Sequence, residues 1–192
     1  MVYAFLVHTA TPGVCRVFYS QVFAVDGLFE EEEEDYDRRR LLRKERLAAL
    51  ARQVQTACVL AAEADDRLNV EAQHPLAGFD ESRTLVAIAE AETGALRLPS
   101  GDLFSQELAA LWLAPGKLAL TLLCEEHDNL TVAEMALRRM AAALLVAPRP
   151  DTDLLMRPER VDLLLDALMP CGQLLFLNHQ LMRNLEKELV DM

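Results

Sequence analysis

The sequence predicts an α/β domain in which an antiparallel sheet of five strands is flanked by helices on both faces. Three observations carry that prediction. The chain opens with two extended apolar runs on either side of a turn, a second such pair flanks Ala114-Pro115-Gly116, and amphipathic segments at helical spacing separate and follow the pairs.

Val2 to Thr9 is apolar at both alternating sets of positions and rich in aromatic and β-branched residues, as suits a central strand covered on both sides. Thr11-Pro12-Gly13 is a turn signal, and the second extended run, Cys15 to Phe23, closes a hairpin. An acidic run follows, from Glu30 to Asp35, then a basic one with Arg38, Arg39, Arg40, Arg43, Lys44 and Arg46. Leu47, Leu50, Val54, Cys58 and Ala61 then recur at helical spacing, so a long amphipathic helix is expected. Its acids precede its bases, with Glu34 to Arg38 and Asp35 to Arg39 at i,i+4, the favourable order for pairing and for the helix dipole. The charge run reads as a solvated helix start; a phosphoinositide patch is the alternative.

From Asp65 to Ser82 the pattern dissolves into Asn69, His74-Pro75 and Gly78, and a loop insertion is expected near 65–93. Thr84 to Ala91 fits neither period, Gly94 to Leu98 reads as a strand, and Glu107–Leu113 with Lys117–Cys124 reads as a hairpin. Thr131-Val132-Ala133-Glu134 fits a capping box, with Leu130 and Met135 placed as a hydrophobic staple, for a helix running towards Pro148. Pro158 suits the first position of another helix, with Val161, Leu164, Leu165 and Leu168 on one side and Pro170 ending it. Asn178 is placed to cap a last helix carrying Leu181, Leu185 and Leu189. The order is thus β-β-α-β-β-β-α-α plus a terminal helix, a single domain over 1–192 with an acidic loop near 26–36.

Composition narrows the function. In 192 residues, 19 basic against 31 acidic side chains leave a net charge of −12, which repels polyphosphate and argues against a general nucleic-acid binder. The N-terminal stretch has no basic lead-in and too short an apolar run for a signal peptide, and Pro115-Gly116-Lys117 and Arg138-Arg139 interrupt the apolar windows that approach membrane-spanning length. A cytoplasmic protein is expected. Cys15, Cys58, Cys124 and Cys171 lack metal or redox spacing and read as small buried hydrophobes.

No catalytic chemistry finds a home in the pattern. None of His8, His74, His127 and His179 has a context that ties it to a cysteine, and His8 inside an apolar strand reads as a satisfied core histidine. Glu125, Glu126, His127 and Asp128 are adjacent in a tight strand-to-helix connection, where neighbours seldom converge on one ion. Phosphate loops, nucleophile elbows and zinc-protease motifs are absent from the sequence. Tyr3, Phe5, Phe18 and Tyr19 read as core. The expectation is a protein without enzymatic activity, cofactor or metal.

The element order is similar to that of longin-type folds. More specific are Val2-Tyr3-Ala4-Phe5-Leu6-Val7-His8-Thr9, Cys15-Arg16-Val17-Phe18-Tyr19-Ser20, Leu41-Leu42-Arg43-Lys44-Glu45 with Ala51-Arg52-Gln53-Val54, and above all Gly172-Gln173-Leu174-Leu175-Phe176-Leu177-Asn178 with Leu185-Glu186-Lys187-Glu188. These resemble the sigma (small) subunits of the fifth adaptor protein complex; residues 65–93 do not carry the likeness. The resemblance implies a longin-like fold and a heterotetramer with large zeta and beta subunits and a medium mu subunit. It also implies work in vesicle-mediated protein transport, peripheral on late endosome and lysosome membranes, alongside spatacsin and spastizin. A longin module of a GTPase-regulating trafficking assembly is the alternative, and a small hydrolase using Cys15 or Cys124 a more distant one.

Apolar residues make up 52% of the chain, more than a small core readily absorbs, and Leu174 to Leu177 form an unusually apolar stretch between Gly172 and Asn178. Gly172, Gln173, Leu175, Phe176 and Asn178 are therefore the candidate partner-interface residues.

Overall fold

The computed structural model of the chain describes residues 1–23, 33–64, 81–146 and 150–175. Its centre is a five-stranded sheet in the order β2-β1-β5-β4-β3. The strands are β1 (Ala4–Thr9), β2 (Val17–Val22), β3 (Thr93–Leu98), β4 (Leu108–Leu113) and β5 (Leu118–Glu125), and every neighbouring pair is antiparallel. The helices are α1 (Glu33–Ala64), α2 (Glu81–Glu90), α3 (Leu130–Leu145), α4 (Pro150–Met156) and α5 (Pro158–Leu168), and a 3₁₀ turn spans Pro170–Gly172. The fold is α/β, as the sequence predicts, with the antiparallel five-stranded sheet of a longin-like protein.

Turn chemistry explains the hairpins. Gly13 (φ 118°) sits between β1 and β2 and Gly116 (φ 139°) between β4 and β5, both in backbone conformations that side chains rarely adopt. The central strands β1 and β5 are apolar on both faces because both faces are covered. Phe5 and Val7 of β1 point to one side with Leu118, Leu120, Leu122 and Cys124 of β5, where they meet α3 and α5. Ala4 and Leu6 point to the other side with Ala119 and Leu123, where α1 lays Leu47, Leu50, Val54 and Cys58 against them. A fully buried leucine such as Leu137 or Leu50 contributes about 1.5–3 kcal/mol by leaving water.

Several local expectations change. Residues 81–90, inside the expected loop near 65–93, form helix α2, which buries Ile88 in the α3 side of the core. Helix α4 was not foreseen; among its described side chains Leu154 is the deeply buried one. The capping box at Thr131 does not form: α3 starts two residues earlier at Asn129, whose side-chain oxygen accepts from the Thr131 and Val132 backbone N–H groups at 3.0 and 3.3 Å. Asn129 is an equally good cap in an extended conformation, so the earlier start satisfies orphan donors that Thr131 would leave to solvent. Glu134 turns instead to Arg138 at 2.9 Å, and the intended staple residues Leu130 and Met135 are both exposed. Helix α1 already begins at Glu33, within the expected acidic loop near 26–36. The helix expected beyond Asn178, and the pairs of Glu34 and Asp35 with Arg38 and Arg39, lie outside the described residues and side chains.

Candidate partner interface

The candidate interface begins where α5 ends. Pro158 starts that helix and Val161, Leu164, Leu165 and Leu168 bury one side of it, as their spacing predicts. The Met169 N–H then returns to the Leu165 carbonyl at 2.7 Å, and the 3₁₀ turn carries Cys171 at φ 51° and Gly172 at φ 74°. The reversal delivers Gly172 to the beginning of β1, where its carbonyl accepts from the Val2 N–H at 2.9 Å. On the other side the Phe23 N–H donates to the Tyr3 carbonyl at 2.9 Å, drawing the end of β2 to the same spot.

Gly172 has no room for a side chain. A Cβ there would lie 2.6 Å from Phe23 Cβ and 2.8 Å from the Val2 carbonyl oxygen. Gly172 is buried and closes the domain's own core. Gln173 is exposed, Leu174 packs against the α3 side of the core, and Leu175 faces outward with 37% of its surface in water. The segment therefore alternates out, in, out; Leu174, passed over in the sequence reading, is the residue that holds it down. Phe176 and Asn178 lie outside the described residues.

Among the described residues, His8, Cys58 and Cys124 are engaged in the core. His8 is fully buried on the α1 side. Its Nδ1–H donates to the Thr9 carbonyl at 2.9 Å, which leaves Nε2 to accept from the Thr121 hydroxyl at 2.9 Å. Burial lowers its pKa, against a smaller opposing effect of the Thr9 bond, so the neutral ring is favoured. Beside it the Gln55 side-chain amide donates to the Thr11 carbonyl at 2.5 Å and pins α1 to the end of the β1 hairpin. Burial pushes the Cys58 and Cys124 thiols up to about 12, far from a thiolate at neutral pH. Cys58 and Cys124 are buried as expected, but Cys15 is only half-buried and Cys171 is exposed on the 3₁₀ turn.

At the strand-to-helix connection, the Met1 amino group lies 3.1 Å from Glu125 and 2.9 Å from Asp128, and Asp128 also accepts from the Glu125 N–H at 2.8 Å. These carboxylates hold a turn. Among the described residues no group of three or more metal-ligating side chains converges. Tyr19 reaches from β2 to donate to Asp162 on α5, and burial together with that carboxylate raises its pKa. Arg138 was missed in the sequence reading. From α3 it donates to the Ile88, Ala89 and Ala91 carbonyls at 2.8, 3.0 and 3.2 Å, capping the C-terminal end of α2 with its charge. Nothing in the sequence near Arg138 signals this, because its partners are some fifty residues away.

A domain that buries His8, Cys58 and Cys124 in its packing, and whose last described stretch of chain presents an outward leucine beside its own closure, suits a part of something larger. The family profile described as AP-5 complex subunit sigma-1 matches residues 1–190. The chain belongs to the AP-5 sigma-1 subunit family. The human AP-5 complex subunit sigma-1 is 38% identical over 198 aligned positions, spanning 98% of this chain and 96% of that protein. The mouse AP-5 complex subunit sigma-1 is 36% identical over 152 positions, spanning 76% of this chain and 86% of that protein. The profile match runs through residues 65–93 as well, a region in which the sequence reading found no likeness. As an AP-5 sigma subunit this chain is a small subunit of an adaptor complex, and other subunits of that complex are its partners. Among the described residues no helix is long and apolar enough to cross a membrane.

Proposed function

We propose that this AP-5 sigma subunit is a non-catalytic building block that packs on a large solenoid subunit and so completes a heterotetramer of zeta, beta, mu and sigma. In that reading the complex serves vesicle-mediated protein transport, stays cytoplasmic, and works peripherally on late endosome and lysosome membranes with spatacsin and spastizin. Gly172, Gln173, Leu175, Phe176 and Asn178 mark the contact. Gly172 sets the direction of the segment, and Gln173 and Leu175 supply its outward side. The observation that carries the reading is the family match along nearly the whole chain, in a domain that absorbs His8, Cys58 and Cys124 into its packing.

The test is co-expression followed by identification of co-purifying chains. Stable recovery of the zeta, beta and mu subunits supports the proposal, and Leu175→Ala with Phe176→Ala should weaken that recovery while the isolated chain still unfolds cooperatively. Recovery of a small GTPase with its exchange machinery in place of adaptor subunits would sink it.

A further inference from the structure

The sheet has two edges, and they are finished differently. At the β2 edge the ladder shifts register between Val7 and His8, α4 lies against the strand, and Tyr19 ties it to Asp162 of α5. A bulge and a covering element are two of the ways in which folds close a sheet edge. Along β3 the register with β4 is unbroken from Thr93 opposite Leu113 to Leu98 opposite Leu108, and Ala95 and Arg97 are exposed.

One bond fixes the direction of the backbone groups on β3. The Ala114 N–H donates to the Glu92 carbonyl at 3.4 Å, in register with the pairs that follow. In an antiparallel ladder alternate residues bond to the same neighbour, so Gly94, Leu96 and Leu98 turn their N–H and C=O groups to β4. Thr93, Ala95 and Arg97 turn theirs away from the sheet. Among the described residues no backbone group outside the ladder pairs with those three. Pro99, which has no N–H, ends the row. What remains open is an alternation of donors and acceptors at the spacing of an extended strand.

We infer that β3 is an edge for strand addition: an extended segment of another subunit of the adaptor complex pairs with Thr93, Ala95 and Arg97 and continues the sheet. The backbone row names this occupant, because a helix bonds its own N–H and C=O groups internally whereas an extended chain offers the matching alternation. A second copy of this chain fits less well. Two chains of net charge −12 repel each other, and a strand of about 20 Å offers far less than the ~1,600 Å² of a stable interface. A segment already held to the assembly by contacts elsewhere meets the edge at high effective concentration, so a short strand suffices. On the α1 side the segment would lie beside half-buried Leu96, and on the other side beside exposed Ala95 and Arg97, which calls for alternating apolar and polar residues. This surface rests on the adaptor-subunit reading and is separate from the C-terminal segment.

Hydrogen exchange resolved to single residues is measured on the full chain alone and in the complex co-expressed with the other AP-5 subunits. Alone, the Thr93, Ala95 and Arg97 amides should exchange quickly while those of Gly94 and Leu96 are protected. In the complex the first three should slow about a hundredfold. Ala95→Pro deletes an N–H that points away from β4 and so leaves that ladder whole. It should return Thr93 and Arg97 to fast exchange in the complex, with the thermal midpoint of the isolated chain little changed. Should this variant destabilise the domain, the exchange pattern of the unaltered chain decides alone. A photo-crosslinking amino acid in place of Ala95 should form an adduct with another AP-5 subunit. Amides at 93, 95 and 97 that exchange as fast in the complex as outside it, or that are already slow in the isolated chain, overturn the inference while the adaptor reading stands. So does an adduct with a second, differently tagged copy of this chain. An unaltered chain that recovers no adaptor subunit overturns both.

Discussion

The two faces of the sheet are held by different means. On the α3 side the buried set is apolar throughout, from Phe5 and Leu122 to Leu137 and Leu164. On the α1 side the described buried residues include the polar side chains His8, Thr121 and Gln55. An apolar face is specified by volume, and several helix positions can satisfy it nearly as well. A buried donor and acceptor set accepts one geometry, because each displacement leaves a polar group unpaired. Several helices share the first face and brace one another, as Arg138 and Arg160 show by reaching neighbouring carbonyls. Among the described helices α1 is the one that lays buried side chains on the second face, where Phe104 joins it, and its bond from Gln55 to Thr11 ties it to the end of the β1 hairpin.

The largest effect should come from removing volume on the apolar face. Leu137→Ala is expected to cost about 3 kcal/mol, read as a lower urea midpoint at unchanged slope. A loss under about 1 kcal/mol would mean that this face repacks freely.

Gly172→Ala comes next. Its Cβ would meet Phe23 and the Val2 carbonyl at a backbone angle that alanine resists, so the isolated chain should lose about 2 kcal/mol or more. An isolated protein of unchanged stability that no longer assembles would move Gly172 from closing the domain to touching a partner.

The polar face has a pH signature. Burial holds the folded pKa of His8 below the 6.5 of a free imidazole, so the unfolded chain takes up its proton first. The contribution of neutral His8 is fully present above pH 6.5 and is lost as pH falls from there towards the folded value. Stability measured between pH 7.5 and 5.5 should therefore fall more steeply for the unaltered chain than for His8→Gln. Equal slopes would show that His8 is not kept neutral by its surroundings.

The smallest effects belong to the cysteines, one buried on each face. Cys58→Ala and Cys124→Ala should each cost about 1 kcal/mol, and neither native thiol should react with iodoacetamide at neutral pH, whereas exposed Cys171 should. Rapid labelling of Cys58 would reveal that α1 lifts off its face.

Legibility from sequence follows the same division. The β4–β5 hairpin and α5 could be read because their causes are local: Gly116 in its turn, Pro158 at the helix start, and four apolar residues at one spacing. Helix α2 could not, because Leu85 and Val86 are exposed and only Ile88 is buried, which leaves no apolar stripe to see. Helix α4 is seven residues long, and Leu154 is the buried one among its described side chains. The start of α3 was misplaced because Asn129 and Thr131 are both competent caps, and geometry rather than composition chose between them. At the candidate interface, Gly172 stood out in sequence, but its reason is the close approach of Phe23 from far along the chain.

Trp112 lies flat on its cross-strand neighbour Gly94, whose missing side chain leaves the space that the indole fills; a Cβ there would be 2.3 Å from the ring. It is the one tryptophan of the chain and belongs to the α1 side of the core. The intrinsic fluorescence of the protein is therefore a local gauge. Peeling of β3 from the sheet edge would let water reach the indole and shift its emission to longer wavelength, whatever the state of the helices across the sheet. No dye or label is required, and an event confined to one edge strand becomes visible in an ordinary fluorimeter.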